Sequence, residues 1–378
     1  MIAKEKSRLF PVLVPFLLIF SGCTLFYEGT RLSREIIPPG APADVGQEID
    51  KMYSNYYRDR KTGLEKLGGM GRRAMDATPF ILDRLQNDPQ DVVRIEALKA
   101  IVLVDKNKAF EYLTDALKNN RNDVKKEAAE MLGKSGNVMA ADPLIQALQD
   151  KNGIVRMYSI DALGELNDPR AVMPLVACLN DKSFFVRLSA VHVLGKMKDG
   201  RAVDPLLERL KDENENVRKA AVEALEMIGD VRAVEGLQEL IRDEDKDVRA
   251  QVFKTLLKFK DKRSVKSIIY ALENSEDQKT RMRAVKVLGE LRDPLAVDAL
   301  IQVLVDEHFQ FQMEAADALG KIGDEKAVGP LIAILKSTWI VPLKVNASEA
   351  LRKITGEDYG FSVEDWEKWW AFRGQSQQ

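Results

Sequence analysis

"NVRKAAVEALEMIGDVRAV" occupies residues 216–234, "FVRLSAVHVLGKMKDGRAV" residues 185–203, and "IVRMYSIDALGELNDPRAV" residues 154–172. One phrase recurs at a fixed interval. Anchored on Val217, it is traced through Val93, Val124, Val155, Val186, Val248, Thr280, Phe311 and Leu343, in steps of 31 residues lengthened to 32 twice. Four residues past the anchor stands Ala97, Ala128, Ser159, Ala190, Ala221, Val252, Ala284 or Ala315, and eight past it an aliphatic residue from Ile101 to Leu319. Positions i, i+4 and i+8 form one stripe of an α-helix, and the small middle residue lets a neighbouring helix approach.

Each copy punctuates its own helices. Asn152, Ser183, Asn214, Asp245 and Asp277 sit three before their anchors, where an N-cap belongs. Gly136, Gly229 and Gly323 follow as C-cap candidates. A second helix is predicted from "RAVDPLLERL" and its counterparts, with Pro143, Pro174, Pro205 and Pro330 in its first turn, where a missing N–H does no harm. Two short helices per repeat, stacked in one dimension, make an all-α solenoid. The pattern VRxxAxxALGxLxDxRAVxPLxxALxD resembles the HEAT repeat, in the short form named after phycobilisome lyases. The resemblance covers residues 87–357 and implies a binding or scaffolding surface rather than a chemistry.

Residues 47–86 read as a degenerate N-terminal capping repeat in which "RRAMDATPFILDRL" ends like a second helix. Residues 358–371 read as a Trp-rich capping helix, with 372–378 a polar tail. Ser362 can cap that helix with Asp365 three later, Phe361 can staple onto Trp366, and Trp366, Trp369 and Trp370 share a face. Such a face either seals the bare end of the array or binds a partner.

The first 22 residues read as a signal peptide. Lys4, Lys6 and Arg8 precede an apolar run at 9–20, too short for the roughly 20 residues that span a bilayer. "IFSGC" at 19–23 resembles the lipobox of bacterial lipoproteins, with Phe20 in place of the usual Leu. The resemblance implies acylation of Cys23 (palmitate among the chains attached), export, and a membrane-anchored place in the cell envelope. Thr24 leans toward outer-membrane sorting if the cell has an outer membrane. Residues 23–46, with Pro38, Pro39 and Pro42, read as a flexible tether.

Composition and motifs yield no enzyme. The formal net charge is −2, without the basic stripe that nucleic acid requires. Aromatic residues make up 7 % of the chain, few for an aromatic-lined small-molecule pocket. The two histidines, His192 and His308, fall four repeats apart and cannot share a site. His192 occupies a helix position that reads as solvent-facing. There is no CxxC, no phosphate loop and no cofactor motif. No His-Glu pair recurs as in the HEAT enzyme deoxyhypusine hydroxylase. Cys178 stands where other second helices carry alanine, a small buried slot. Chromophore attachment of the lyase type is the alternative from another class.

Two polar rows keep the repeat's phase: Arg94, Lys125, Arg156, Arg187, Arg218, Arg249 and Arg281 one past the anchor, and Asp168, Asp199, Asp230, Asp261, Asp293 and Asp324 thirteen past it. Serving every repeat equally, they read as inter-repeat bridges and second-helix caps. A further pair of columns is acidic at the centre of the array: Asp204 and Glu208, then Glu235 and Glu239. Each pair lies at i and i+4 on one face, and in HEAT-like proteins the second helix lines the concave side. The helix dipole explains acids in a first turn but not Glu208 and Glu239 one turn deeper. The expectation is an acidic concave face that receives a basic segment of a protein partner, with no cofactor and no metal.

Overall fold

The computed structural model describes residues 41–305 and 308–375. From Asp91–Val104 onward, each repeat is a first helix of 13 to 15 residues and a second helix of 7 to 10, as in Glu215–Ile228 followed by Ala233–Glu239. No strand occurs among the described residues. The predicted stripe is the core. Val93, Val124, Val155, Val186, Val217 and Val248 are fully buried, as are all eight aliphatic residues from Ile101 to Leu319. Thr280 is half-buried.

The caps follow the sequence closely. Asn152, Asn214, Asp245 and Asp277 accept backbone N–H bonds at first-helix starts, while Ser183 holds the position without a side-chain bond. Asp168, Asp199, Asp261, Asp293 and Asp324 each cap a 3-10 turn that leads into the second helix. From Gly153–Leu166 onward, first helices end on a left-handed residue. Gly229 and Gly323 fill that place at φ 77° and 82°, but Lys198 and Arg292 hold it at 54° and 51°. A side chain there carries a penalty of about 1–2 kcal/mol that glycine escapes. Lys198→Gly and Arg292→Gly should each stabilise the array by about 0.5–1 kcal/mol, net of glycine's extra freedom when unfolded. The measurement is the urea midpoint, which should rise at unchanged slope; a fall would mean that these turns carry no strain.

Two devices join one repeat to the next. The first is a glycine nine past the anchor. A Cβ on Gly133, Gly195, Gly289 or Gly320 would lie 2.7–2.9 Å from the Cα of Ala162, Ala224, Ala318 or Ala350 in the following first helix. Only glycine permits that approach. The second is the arginine row, which is structural. Arg156, Arg187 and Arg218 each grip the aspartate that ends their own second helix, Asp181, Asp212 and Asp243, with two bonds of 2.7–3.0 Å. Each guanidinium also donates to a backbone carbonyl of the preceding inter-repeat loop, at Asp150, Asp181 and Asp212.

Both devices lapse around Lys246–Phe259. The glycine place holds Glu226 and then Leu257, and the aspartate place holds Asn274, so Arg249 reaches only the carbonyls of Asp243 and Glu244. One of the two 32-residue steps falls here as well. The continuous core divides at this seam, one cluster ending at Leu256 and the next beginning at Leu257. Glu226 closes its own interface with bonds from Gln251, Thr255 and Lys258 of the next helix, at 2.8–3.0 Å. Burial opposes its ionisation, yet the Lys258 and Thr255 bonds outweigh that and hold its carboxyl below the ordinary range. Leu257 has no such polar clasp.

The ends differ from expectation in detail. Helix Ala43–Lys51 starts inside the stretch read as tether, directly after Pro42, and Val45, Ile49 and Met52 are buried. Tyr57–Met70 and Thr78–Asn87 form a repeat in which Arg60 clamps Asp88 at 2.7 Å and Gly68 meets Ala100. At the other end, Val363–Gln375 packs on the last full second helix, Val328–Ser337. Ser362 and Asp365 make the capping pair, but the staple does not form. Phe361 is 53 % exposed, and Trp366, fully buried, meets Tyr359 edge-on at 4.9 Å instead. The Trp face is therefore a lid: Trp369 and Trp370 pack against the same core.

Candidate partner-binding face

Asp204, Glu208, Glu235 and Glu239 lie on the adjacent second helices Val203–Arg209 and Ala233–Glu239, all exposed. Basic residues nevertheless answer the first of the two columns. The partners come from another column. Arg232 and Arg263, from the turns that open the next second helices, reach back to Asp204 at 3.5 Å and Glu235 at 3.1 Å. Arg170 and Lys326 treat Asp142 and Asp298 the same way, at 3.1 and 3.9 Å. Each arginine also holds the capping aspartate two residues before it and a backbone carbonyl 32 residues back, as Arg263 does with Asp261 and Val231. The first acidic column is thus a second inter-repeat ladder.

The deeper column is different. Glu239 pairs with Lys211 at 3.1 Å, and Glu208 has no ion-pair partner among the described residues. Both border a groove of about 190 Å³ whose floor is Leu207, Leu210 and Gly236. Gly236 replaces the proline or larger residue that this position carries in most repeats, and a Cβ there would stand 2.7 Å from Leu207. The four sequence candidates therefore separate into two structural residues and two that flank an apolar groove.

Cys178 and His192 lie elsewhere among the described residues. No group of three His, Cys, Asp or Glu side chains could hold a metal there. Cys178 is buried, its Sγ 3.5 Å from the Pro174 carbonyl, and burial pushes its thiol up to about 11, away from nucleophilic use. His192 is half-buried. Cys23 and its lipobox lie outside the described residues.

The stacked helix pairs define an α-solenoid, and comparison with known proteins agrees. The sequence matches HEAT repeats over residues 78–156, 141–215, 203–269 and 265–352, and the chain belongs to the HEAT-repeat family. No curated protein sequence matches it significantly. Among solved structures, an engineered protein is similar at 18 % identity and a TM-score of 0.50, over 83 % of this chain and 99 % of that one. The karyopherin Kap121p, bound to the extreme C-terminus of the protein phosphatase Cdc14p, is similar at 12 % identity and 0.50, over 82 % and 41 %. The complex of CpcE and CpcF of phycocyanin lyase from a Nostoc species gives 20 % identity and 0.37, over 65 % and 94 %.

Proposed function

We propose that this protein is a lipid-anchored scaffold of the cell envelope that binds a basic segment of a partner protein on its second-helix face. The observation that carries the reading is the groove between Val203–Arg209 and Ala233–Glu239, with an apolar floor and the Glu208 and Glu239 carboxylates at its rim. Apolar contact supplies affinity, and exposed carboxylates act on encounter rate and partner choice. A solenoid of the same fold, Kap121p, is described as bound to the terminus of another protein, a precedent for taking a chain segment. The anchor rests on the lipobox ending at Cys23. A tether of about 20 residues lets the array stand up to roughly 65–70 Å from the membrane.

The anchor is tested by Cys23→Ala. The variant should stay unprocessed by the lipoprotein peptidase, and its mature form should be missing from the membrane fraction. Wild-type partitioning at the same processed mass would remove the anchor from the account.

The groove is tested by Glu208→Lys together with Glu239→Lys. Both side chains are exposed, so the fold should persist. Capture of a partner from envelope extract on residues 41–378 should drop about tenfold or more, and wild-type capture should weaken as the screening length shrinks from about 10 Å at 0.1 M salt to about 3 Å at 1 M. Capture indifferent to both changes would place the contact surface elsewhere.

A further inference from the structure

The seam that divides the core opens a second cleft, on the face made by the first helices. It has a volume of about 430 Å³, within the roughly 300–1,000 Å³ of ligand sites. It lies between Lys246–Phe259 and Gln278–Leu291, where Leu257 stands at the place that Gly133, Gly164, Gly195, Gly289 and Gly320 hold in other repeats.

Along the array several first-helix lysines are matched by acids of a neighbouring turn or repeat, while Lys126, Lys196 and Lys344 have no ion-pair partner among the described residues. Lys99 pairs with Glu127 at 3.0 Å, Lys286 with Glu314 at 3.2 Å, and Lys321 and Lys353 with Asp317 at 2.7 and 3.2 Å. In the cleft four cations come together. Lys219, Lys279 and Arg283 line it with no ion-pair partner among the described residues, and Lys254 stands 3.8 Å from a Glu226 already bonded to Lys258. The acids present are Asp247 and Asp277, and Asp277 is engaged at its own helix start by Thr280 and the Lys279 N–H. Ala250 is the exposed apolar residue on its wall, Leu257 lies beneath at 1 % exposure, and Gln251 and Thr280 add polar groups.

We propose that this cleft is a second docking site, on the opposite helix layer from the Glu208–Glu239 groove, and that it takes an acidic peptide segment. The excess of cations over acids in its lining complements such a segment. Four cations beside two acids do not make the continuous basic track that a nucleic acid backbone requires. With its two grooves of opposite charge, the scaffold would hold two different partner segments at once, on different helix layers of neighbouring repeats.

The test is fluorescence anisotropy on the full-length protein. The probes are a labelled ten-residue peptide of glutamates with two leucines, the same peptide with lysine for glutamate, and a ten-nucleotide oligothymidine. The acidic peptide should bind, its affinity falling about tenfold or more between about 0.05 and 0.5 M salt. Lys279→Glu with Arg283→Glu should weaken it by a further factor of about ten or more. Both residues are exposed, so the melting curve should be unchanged. Lys61→Glu with Lys99→Glu makes the same change in net charge far from the cleft and should leave binding within about twofold. An acidic peptide that does not bind, one that binds both charge-reversed variants equally, or an oligothymidine that binds more tightly through Lys279 and Arg283 would each overturn the proposal.

Discussion

Arg187→Ala should destabilise the central array by roughly 3–5 kcal/mol, because it strands a buried carboxylate. The Arg187 and Asp212 side chains are 7 % and 3 % exposed and share two bonds of 2.8 Å. The same guanidinium donates at 2.9 Å to the Asp181 carbonyl in the preceding loop. One side chain thus ties two successive inter-repeat loops to one helix. Burial opposes ionisation of Asp212, but the Arg187 bond and the Asn214 N–H prevail and hold its carboxyl below the ordinary value of 3.8. A depressed folded value means that the stabilisation is fully present above the ordinary carboxyl value and is lost as pH falls through the folded one. The Arg187 effect should therefore be largest near neutrality and shrink in acid. Urea unfolding at pH 7 and pH 3 measures both. Arg249→Ala is the contrast: its guanidinium bonds carbonyls only, and its loss should be smaller at either pH. Equal losses for the two variants would mean that the aspartate row contributes little.

Trp366→Ala should cost roughly 3–5 kcal/mol, the usual penalty for truncating a buried tryptophan. Trp366 is fully buried, packs edge-on against Tyr359 and Trp369, and donates its indole N–H to the Gly360 carbonyl at 3.1 Å. Because each repeat touches only its neighbours, the damage should stay local. Hydrogen exchange should show lost protection mainly from Phe309 onward, with the helices before the seam at Leu257 unchanged. Loss spread evenly over the chain would contradict a one-dimensional array with a divided core.

The sequence carried the repeat, because its phrase recurs at 31- or 32-residue steps, and the buried stripe and the caps, because each depends on spacing within about ten residues. Val217, Ala221 and Leu225 need no partner to be recognised as one face. What it hid were substitutions whose meaning depends on the next repeat. Leu257 reads as one more apolar residue until a Cβ at the equivalent glycines is seen to collide with alanine across the interface. Asn274 reads as loop until Arg249 is found without the aspartate that its counterparts hold. The acids at Asp204 and Glu235 looked unmatched because their arginines lie 28 residues on, in a different column. The signal was present: Asp142, Asp204, Glu235 and Asp298 each stand 28 residues before Arg170, Arg232, Arg263 or Lys326, whereas Lys266 precedes Leu295 by 29 residues, across the insertion. The missing staple has a simpler cause. Two aromatic residues, Tyr359 and Phe361, compete for one tryptophan, and spacing alone does not choose between them.

The central claim is that the groove bordered by Glu208 and Glu239 holds a basic segment of a partner. The most direct measurement is photo-crosslinking in the native cell from benzoylphenylalanine placed at Lys211, whose side chain is exposed at the groove's edge. The account predicts an adduct of one discrete mass, lost when Glu208→Lys and Glu239→Lys are introduced together. No adduct from Lys211, or one that survives the double reversal, would contradict it.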